Sequence, residues 1–180
     1  MCNSCQNSSE ATGDCTCSDN EKRNQNISSM CLVCGKDNPF SLHAQFVEER
    51  KVNEVICYFT PQDVHQSYPD RVHGGIAAAV LDEVIGRAVQ LMHPGVWGVT
   101  IALNLKYRRP VPYGGKLVCR GRCTKLSHRT FEGAGEILDD KGRVAVSATG
   151  TYAICPPEAM IGDGNLDDMW FVDDRPVEQE

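Results

Sequence analysis

The chain has 180 residues, a net charge of -6 and 41% hydrophobic residues. That length holds one domain with tails, and that apolar fraction supports one ordinary core. The negative charge argues against nucleic acid or an anionic membrane as partner, and no apolar run reaches the ~20 residues of a membrane span.

Residues 1–30 are rich in Asn, Ser and Cys and poor in large apolar side chains. Such a segment buries too little surface to offset its ordering entropy, so it reads as a disordered arm. Met1 to Asn20 lacks the apolar core of a secretion signal, so the expected location is cytoplasmic. The 10 cysteines are then expected as thiols or metal ligands rather than disulfides. Cys31-x-x-Cys34-Gly35 has the spacing of half a zinc knuckle, and Cys2, Cys5, Cys15 and Cys17 are the other thiols available to it. The favoured reading is plainer: a short turn packed on the body, with no metal and no cofactor.

Residues 31–155 form the expected domain. Strands are predicted over 42–50 and 53–60, the second with Val55, Cys57 and Phe59 on one face. A polar loop with Pro61, Tyr68, Pro69 and Asp70 leads to a helix from Gly74 to Met92, stopped by His93-Pro94-Gly95. Val99, Ile101, Leu103, Leu105 and Tyr107 then alternate with polar or small residues, as in a half-buried strand. Further strands fit 116–126, 129–138 and 143–154, with turns at Gly114-Gly115 and Asp140-Lys141-Gly142. Cys57, Cys119, Cys123 and Cys155 fall in these strands as small buried hydrophobes. Residues 156–180 read as an acidic tail, in which Met169, Trp170 and Phe171 are candidates to dock on the body.

The helix carries almost no polar face from Ile76 to Met92, which predicts burial on all sides. One long buried helix wrapped by a curved antiparallel sheet is the simplest α+β architecture that satisfies this pattern. Two acids interrupt the helix. Glu83 has Arg87 four residues on, a favourable pair. Asp82 has only Ala78, Ala79, Ile85 and Gly86 as helical neighbours. A buried carboxylate without a partner is costly, so Asp82 either meets a polar group on another element or is functional. At the helix start, His73-Gly74-Gly75 leaves first-turn amides open to a ligand, where the helix dipole is positive. That suits a developing oxyanion, and equally a tight turn before a closely packed helix.

Val72-His73-Gly74-Gly75 running through Ile76-Ala77-Ala78-Ala79-Val80-Leu81 to Asp82-Glu83 resembles the signature of hotdog-fold thioesterases, in the phenylacetate-pathway and mammalian thioesterase-superfamily branches. The strand Gly98-Val99-Thr100-Ile101-Ala102-Leu103-Asn104-Leu105-Lys106-Tyr107-Arg108-Arg109-Pro110 continues it, as do Cys31-Leu32-Val33-Cys34-Gly35 and Asn38-Pro39. The resemblance implies a hotdog fold that hydrolyses acyl-CoA. By position it implies Asp82 as general base or nucleophile, the Gly74 amide polarising the thioester carbonyl, and Thr100 positioning the attacking water. It places Lys106, Arg108, Arg129 and Thr130 against CoA. The loop His65-Gln66-Ser67-Tyr68-Pro69-Asp70-Arg71 lacks the Asn that related enzymes often carry, and Gln66 is the expected substitute, with His65 as its rival. His73 is expected chiefly to shape the turn, with a direct catalytic role as the alternative. A hotdog dehydratase or hydratase, or a non-catalytic acyl-CoA-binding module, are the competing functions.

Gly74 and Asp82 lie eight residues apart on one helix, about 12 Å at 1.5 Å per residue. One helix cannot bring both to one carbonyl, so the expected assembly is a homodimer, as the resemblance also implies, with a dimer of dimers as a further possibility.

Overall fold

The computed structural model describes residues 22–161 and 164–178. Helix α1 spans Gly74–Ala88 and runs on into a 3-10 turn at Val89–Leu91. It stops ahead of Gly95, whose φ of 85° lies in the left-handed region that glycine enters freely. Val80, Leu81, Val84 and Ile85 of α1 are fully buried, each contributing about 1.5–3 kcal/mol of apolar burial.

The described residues hold nine strands: β1 (Lys22–Asn24), β2 (Ile27–Ser28), β3 (Gln45–Glu49), β4 (Glu54–Phe59), β5 (Trp97–Tyr107), β6 (Leu117–Leu126), β7 (Thr130–Leu138), β8 (Val144–Cys155) and β9 (Trp170–Phe171). Seven form one antiparallel sheet in the order β1-β3-β4-β6-β7-β8-β5, and β2 pairs with β9 separately. α1 lies against β4 through β8. At Gly121 on β6 a Cβ would sit 2.6 Å from the Val84 carbonyl oxygen, so only glycine lets the helix backbone come this close. A curved antiparallel sheet wrapped around one long helix is the hotdog fold. No helix among the described residues is long and apolar enough to cross a membrane.

Four features depart from the sequence pattern. First, α1 is apolar all round but not buried all round: Gly75 is exposed, and Ile76, Ala78, Ala79 and Asp82 are half-buried. Second, the alternation of β5 breaks. Thr100 pairs with Tyr152 and Ala102 with Thr151, so Ile101 is a bulge. The extra residue flips the strand's parity. Leu103 and Leu105 still pack on the core, but Gly98 and Thr100 now face inward while Val99 and Ile101 are exposed.

Third, residues 22–28, which composition assigns to the arm, are paired: β1 extends the main sheet and Ile27 is buried. Residues 1–21 lie outside the described residues. Fourth, the acidic tail is docked beyond the Trp170 and Phe171 that the sequence put forward for it. After helices α2 (Glu158–Ile161) and α3 (Leu166–Met169), β9 pairs with β2, and a strap follows along β1 and β3. Asn24 donates to the Asp173 and Arg175 carbonyls. Arg175 donates to the His43 and Ala44 carbonyls and holds the buried Asp173 carboxylate at 2.6 Å.

β5 ends the sheet, so one of its edges is unpaired in the single chain. It is 11 residues long, and Val99, Ile101 and Tyr107 on it are exposed. Long apolar edges of this kind are normally covered.

Candidate active site

The bulge in β5 and the inward face of β8 converge on Asp82. The Thr100 hydroxyl donates to Asp82 Oδ1 at 2.9 Å and the Tyr152 hydroxyl to the same oxygen at 3.1 Å. Tyr152 also reaches the Asp82 carbonyl at 3.1 Å. Burial, then the nearby Asp82 carboxylate, push the Tyr152 hydroxyl well above its ordinary pKa, so it remains a donor. Its ring is buried and stacks on Phe131 at 4.8 Å, which fixes where the hydroxyl points. Asp82 therefore does meet polar groups on other elements, but both are neutral hydroxyls and both land on one oxygen. Among the described residues Oδ2 makes no hydrogen bond. Tyr152 was legible only as one more inward residue of the Val146, Ala148, Gly150, Tyr152 series; the sequence does not say that it sits across from the carboxylate.

The start of α1 is organised by two histidines. His73 is the N-cap, and its Nδ1 accepts the Gly75 amide at 2.9 Å. Its carbonyl accepts the amides of Ile76 and Ala77. The Gly74 amide has no acceptor among the described residues, so it is the first-turn donor left open at the positive helix end. Tyr107 closes over this glycine, donating its hydroxyl to the Gly74 carbonyl at 2.8 Å. His65 is buried, with Nδ1 accepting the Gln62 amide and Nε2 facing the Phe40 carbonyl, each at 2.9 Å. Both ring nitrogens are thus engaged, and its role is to pin the loop whose carbonyl holds the His73 amide. Gln66 is exposed in a short bridge with Val72 and does not line the cavity at Asp82.

The expected site residues fall at two ends of one chain. Gly74 opens on a cavity of about 400 Å³ shared with Arg71, Tyr107 and Arg108. Asp82 and Thr100 line a different cavity of about 180 Å³. The cations divide in the same way. Arg108 bonds to Ala145 at one end of β8, and Ile154 at the other end bonds to Arg129. Nine residues of strand separate those anchors, about 30 Å. Lys106 lies on the exposed edge strand near Arg108, while Thr130 bonds to Ser127 in the hairpin beside Arg129.

Behind Asp82 lies a buried cluster that the sequence announces only as an i,i+4 pair. Arg87 bonds to Glu83 at 2.9 Å, the Asn26 carbonyl at 2.7 Å and Cys34 Sγ at 3.2 Å. Its guanidinium lies between the rings of Phe46 and Trp170. The turn Cys31 to Gly35 packs here, as the plainer reading expected; Cys31 also donates to Glu83. The neighbouring Cys31 thiol, then the Arg87 charge, lower the Cys34 thiol to about 7. The neighbouring Cys34, burial and Glu83 push Cys31 far above an ordinary thiol. Cys57 and Cys119 are buried with thiols raised by burial, as expected of small core residues, whereas Cys123 and Cys155 are only half-buried.

Residues 70–146 match the family model described as Thioesterase superfamily. The chain is 32% identical over 63 residues to mouse acyl-coenzyme A thioesterase THEM5, covering 35% of this chain and 25% of that one. It is 24% identical over 99 residues to mouse acyl-coenzyme A thioesterase 13, covering 55% of this chain and 70% of that one. A crystal structure of a thioesterase superfamily protein matches with a TM-score of 0.63 and 29% identity, covering 68% of this chain and 59% of that one. The chain therefore spans about a quarter of the first of these relatives and well over half of the solved structure.

Proposed function

We propose that this protein hydrolyses acyl-CoA thioesters to the free acid and CoA, a reading supported by the match of residues 70–146 to the Thioesterase superfamily model. Asp82 acts through Oδ2, either taking a proton from the attacking water or attacking the carbonyl itself to form an anhydride that water then opens. Thr100 and Tyr152 hold the other oxygen, and the Thr100 oxygen is placed to orient the water. The Gly74 amide stabilises the oxyanion that forms as the C=O bond opens. Collapse of that intermediate breaks the C–S bond, and the CoA sulfur leaves as thiolate and is protonated.

The single observation that carries this reading is a half-buried carboxylate held by two neutral hydroxyls with one oxygen free. The homodimer follows from the division of the site. Gly74, Gln66, His73, Lys106 and Arg108 belong to one end of the chain; Asp82, Thr100, Arg129 and Thr130 belong to the other. Two copies related by a two-fold axis, joined along the open edge of β5, bring opposite ends together. His73 contributes by occupying the Gly75 amide and so leaving that of Gly74 for substrate. Gln66 supplies the loop amide, and the cations of both ends serve the CoA phosphates.

The test is thiol release from acyl-CoA by wild type and by Asp82→Asn. Removing a base of this kind costs about 10²–10⁴ in kcat. The variant should fold with an unchanged melting temperature. Thiol release near the wild-type rate from the folded variant would overturn the assignment.

A further inference from the structure

The cavity at Asp82 has a far end built by Trp97 together with Met160 and Trp170, the last two from outside the family-matched segment. It follows α1 from Asp82 past Gly86 to Gln90, three positions on one helical face, over about 12 Å. Gly86 keeps it open: a Cβ there would come within 3.3 Å of Tyr152 Cε1. The end is closed by Trp97 and Trp170, whose ring centroids are 5.1 Å apart, with Met160 beside them. Trp170 arrives from the C-terminal segment, held by its pairing with Ser28 and by the Arg87 guanidinium 4.7 Å from its ring. Beyond it lies a second cavity of about 230 Å³, lined by Ser28, Cys31, Leu166 and Met169. Glu83, Arg87, Trp97, Met160 and Trp170 line both cavities, so the wall between them is one side chain thick.

We propose that Trp170 is the residue that sets acyl-chain length, by partitioning the acyl pocket from the cavity behind it; this rests on the thioesterase reading above. A cavity of about 150 Å³ takes up one benzene ring. The 180 Å³ pocket accordingly takes a single ring or a chain of about six carbons, and a longer chain must displace the indole. Removing the indole joins the two cavities and admits longer chains.

The experiment compares wild type, Trp170→Ala and Trp170→Phe on hexanoyl-CoA and dodecanoyl-CoA. In parallel it measures binding of the non-hydrolysable thioethers S-hexyl-CoA and S-dodecyl-CoA by calorimetry. Wild type should prefer hexanoyl over dodecanoyl by about 100-fold in kcat/KM, since pockets discriminate by tenfold or more per misfitting methylene. Trp170→Ala should bring that ratio within about tenfold, and Trp170→Phe, which keeps a ring on Arg87, should hold most of it. The thioether affinities should move in the same direction. Equal handling of both chains by wild type, or an equal loss on both in Trp170→Ala, overturns the proposal. If the thioethers show the predicted discrimination and its loss but no thioester is cleaved, the hydrolase reading fails and the partition stands. If neither thioether binds, both fall.

Discussion

Replacing Tyr152 by Phe removes one atom from the centre of the site. The ring is 2% exposed and its stacking on Phe131 is kept, so the core should hold its shape. What is lost is the hydroxyl that donates to Asp82 Oδ1 and to the Asp82 carbonyl, each at 3.1 Å. A hydrogen bond to a charged group is worth about 1.5–3 kcal/mol. Expressed fully in the transition state that is about 10–100-fold in kcat/KM. Thr100 still holds the same oxygen, so the expected loss is toward the lower figure. Thiol-release kinetics on a short acyl-CoA measure it, and urea unfolding checks that the fold survives. A kcat/KM within about twofold of wild type would refute the idea that Tyr152 fixes the carboxylate.

Arg87→Met should cost about 3–5 kcal/mol, because it leaves Glu83, the Asn26 carbonyl and Cys34 without their buried partner. A thermal melt should fall by roughly 10 °C, and a shift of a degree or two would contradict the burial of this network. The thiol pair sets a pH dependence. Cys34 titrates at about 7 in the fold against 9.0 for a free thiol, so the unfolded chain binds more protons between those values and stability rises with pH there. As pH nears 9 the raised thiols of Cys31, Cys57 and Cys119 reverse the sign. Urea midpoints under reducing conditions should climb from pH 7 to about 8 in wild type, and this climb should vanish in Cys34→Ser.

Much of this molecule was legible in its residues. The apolar run from Ile76 to Met92 specifies a core helix, and the turn residues mark β3 to β8 to within a few positions. Asp82 stands out because no helical neighbour answers it. Its partners did not stand out, for two reasons. Thr100 faces the helix only because Ile101 is a bulge, and alternation read without the bulge places it on the wrong face. Tyr152 is 70 residues away, and nothing local distinguishes it from other inward residues of its strand. The tail was legible only in part: Trp170 and Phe171 stood out as docking residues, but the strap after them did not, for a related reason. Its composition is that of solvated chain, but Asp173 and Arg175 satisfy each other, and Trp170 finds a neighbour in Arg87 that composition cannot show. The arm boundary moved for the same cause, since Ile27 is the one buried apolar residue of 22–28 and its partner strand lies at the other end of the chain.

The central claim is that each site takes its acid from one subunit and its oxyanion donor from the other, and a complementation assay tests it directly. Gly74 is the first residue of α1, and His73 before it has φ -62° and ψ 135°. Proline is well tolerated at that helical position after an extended residue, so Gly74→Pro deletes the amide hydrogen while keeping the helix. Gly74→Pro and Asp82→Asn homodimers should each lose at least about 100-fold in kcat. On reassortment of an equal mixture, half the dimers are mixed and each carries one intact site. The account predicts recovery to about a quarter of wild-type activity. Mixed dimers that form from folded parents and stay inactive would contradict it.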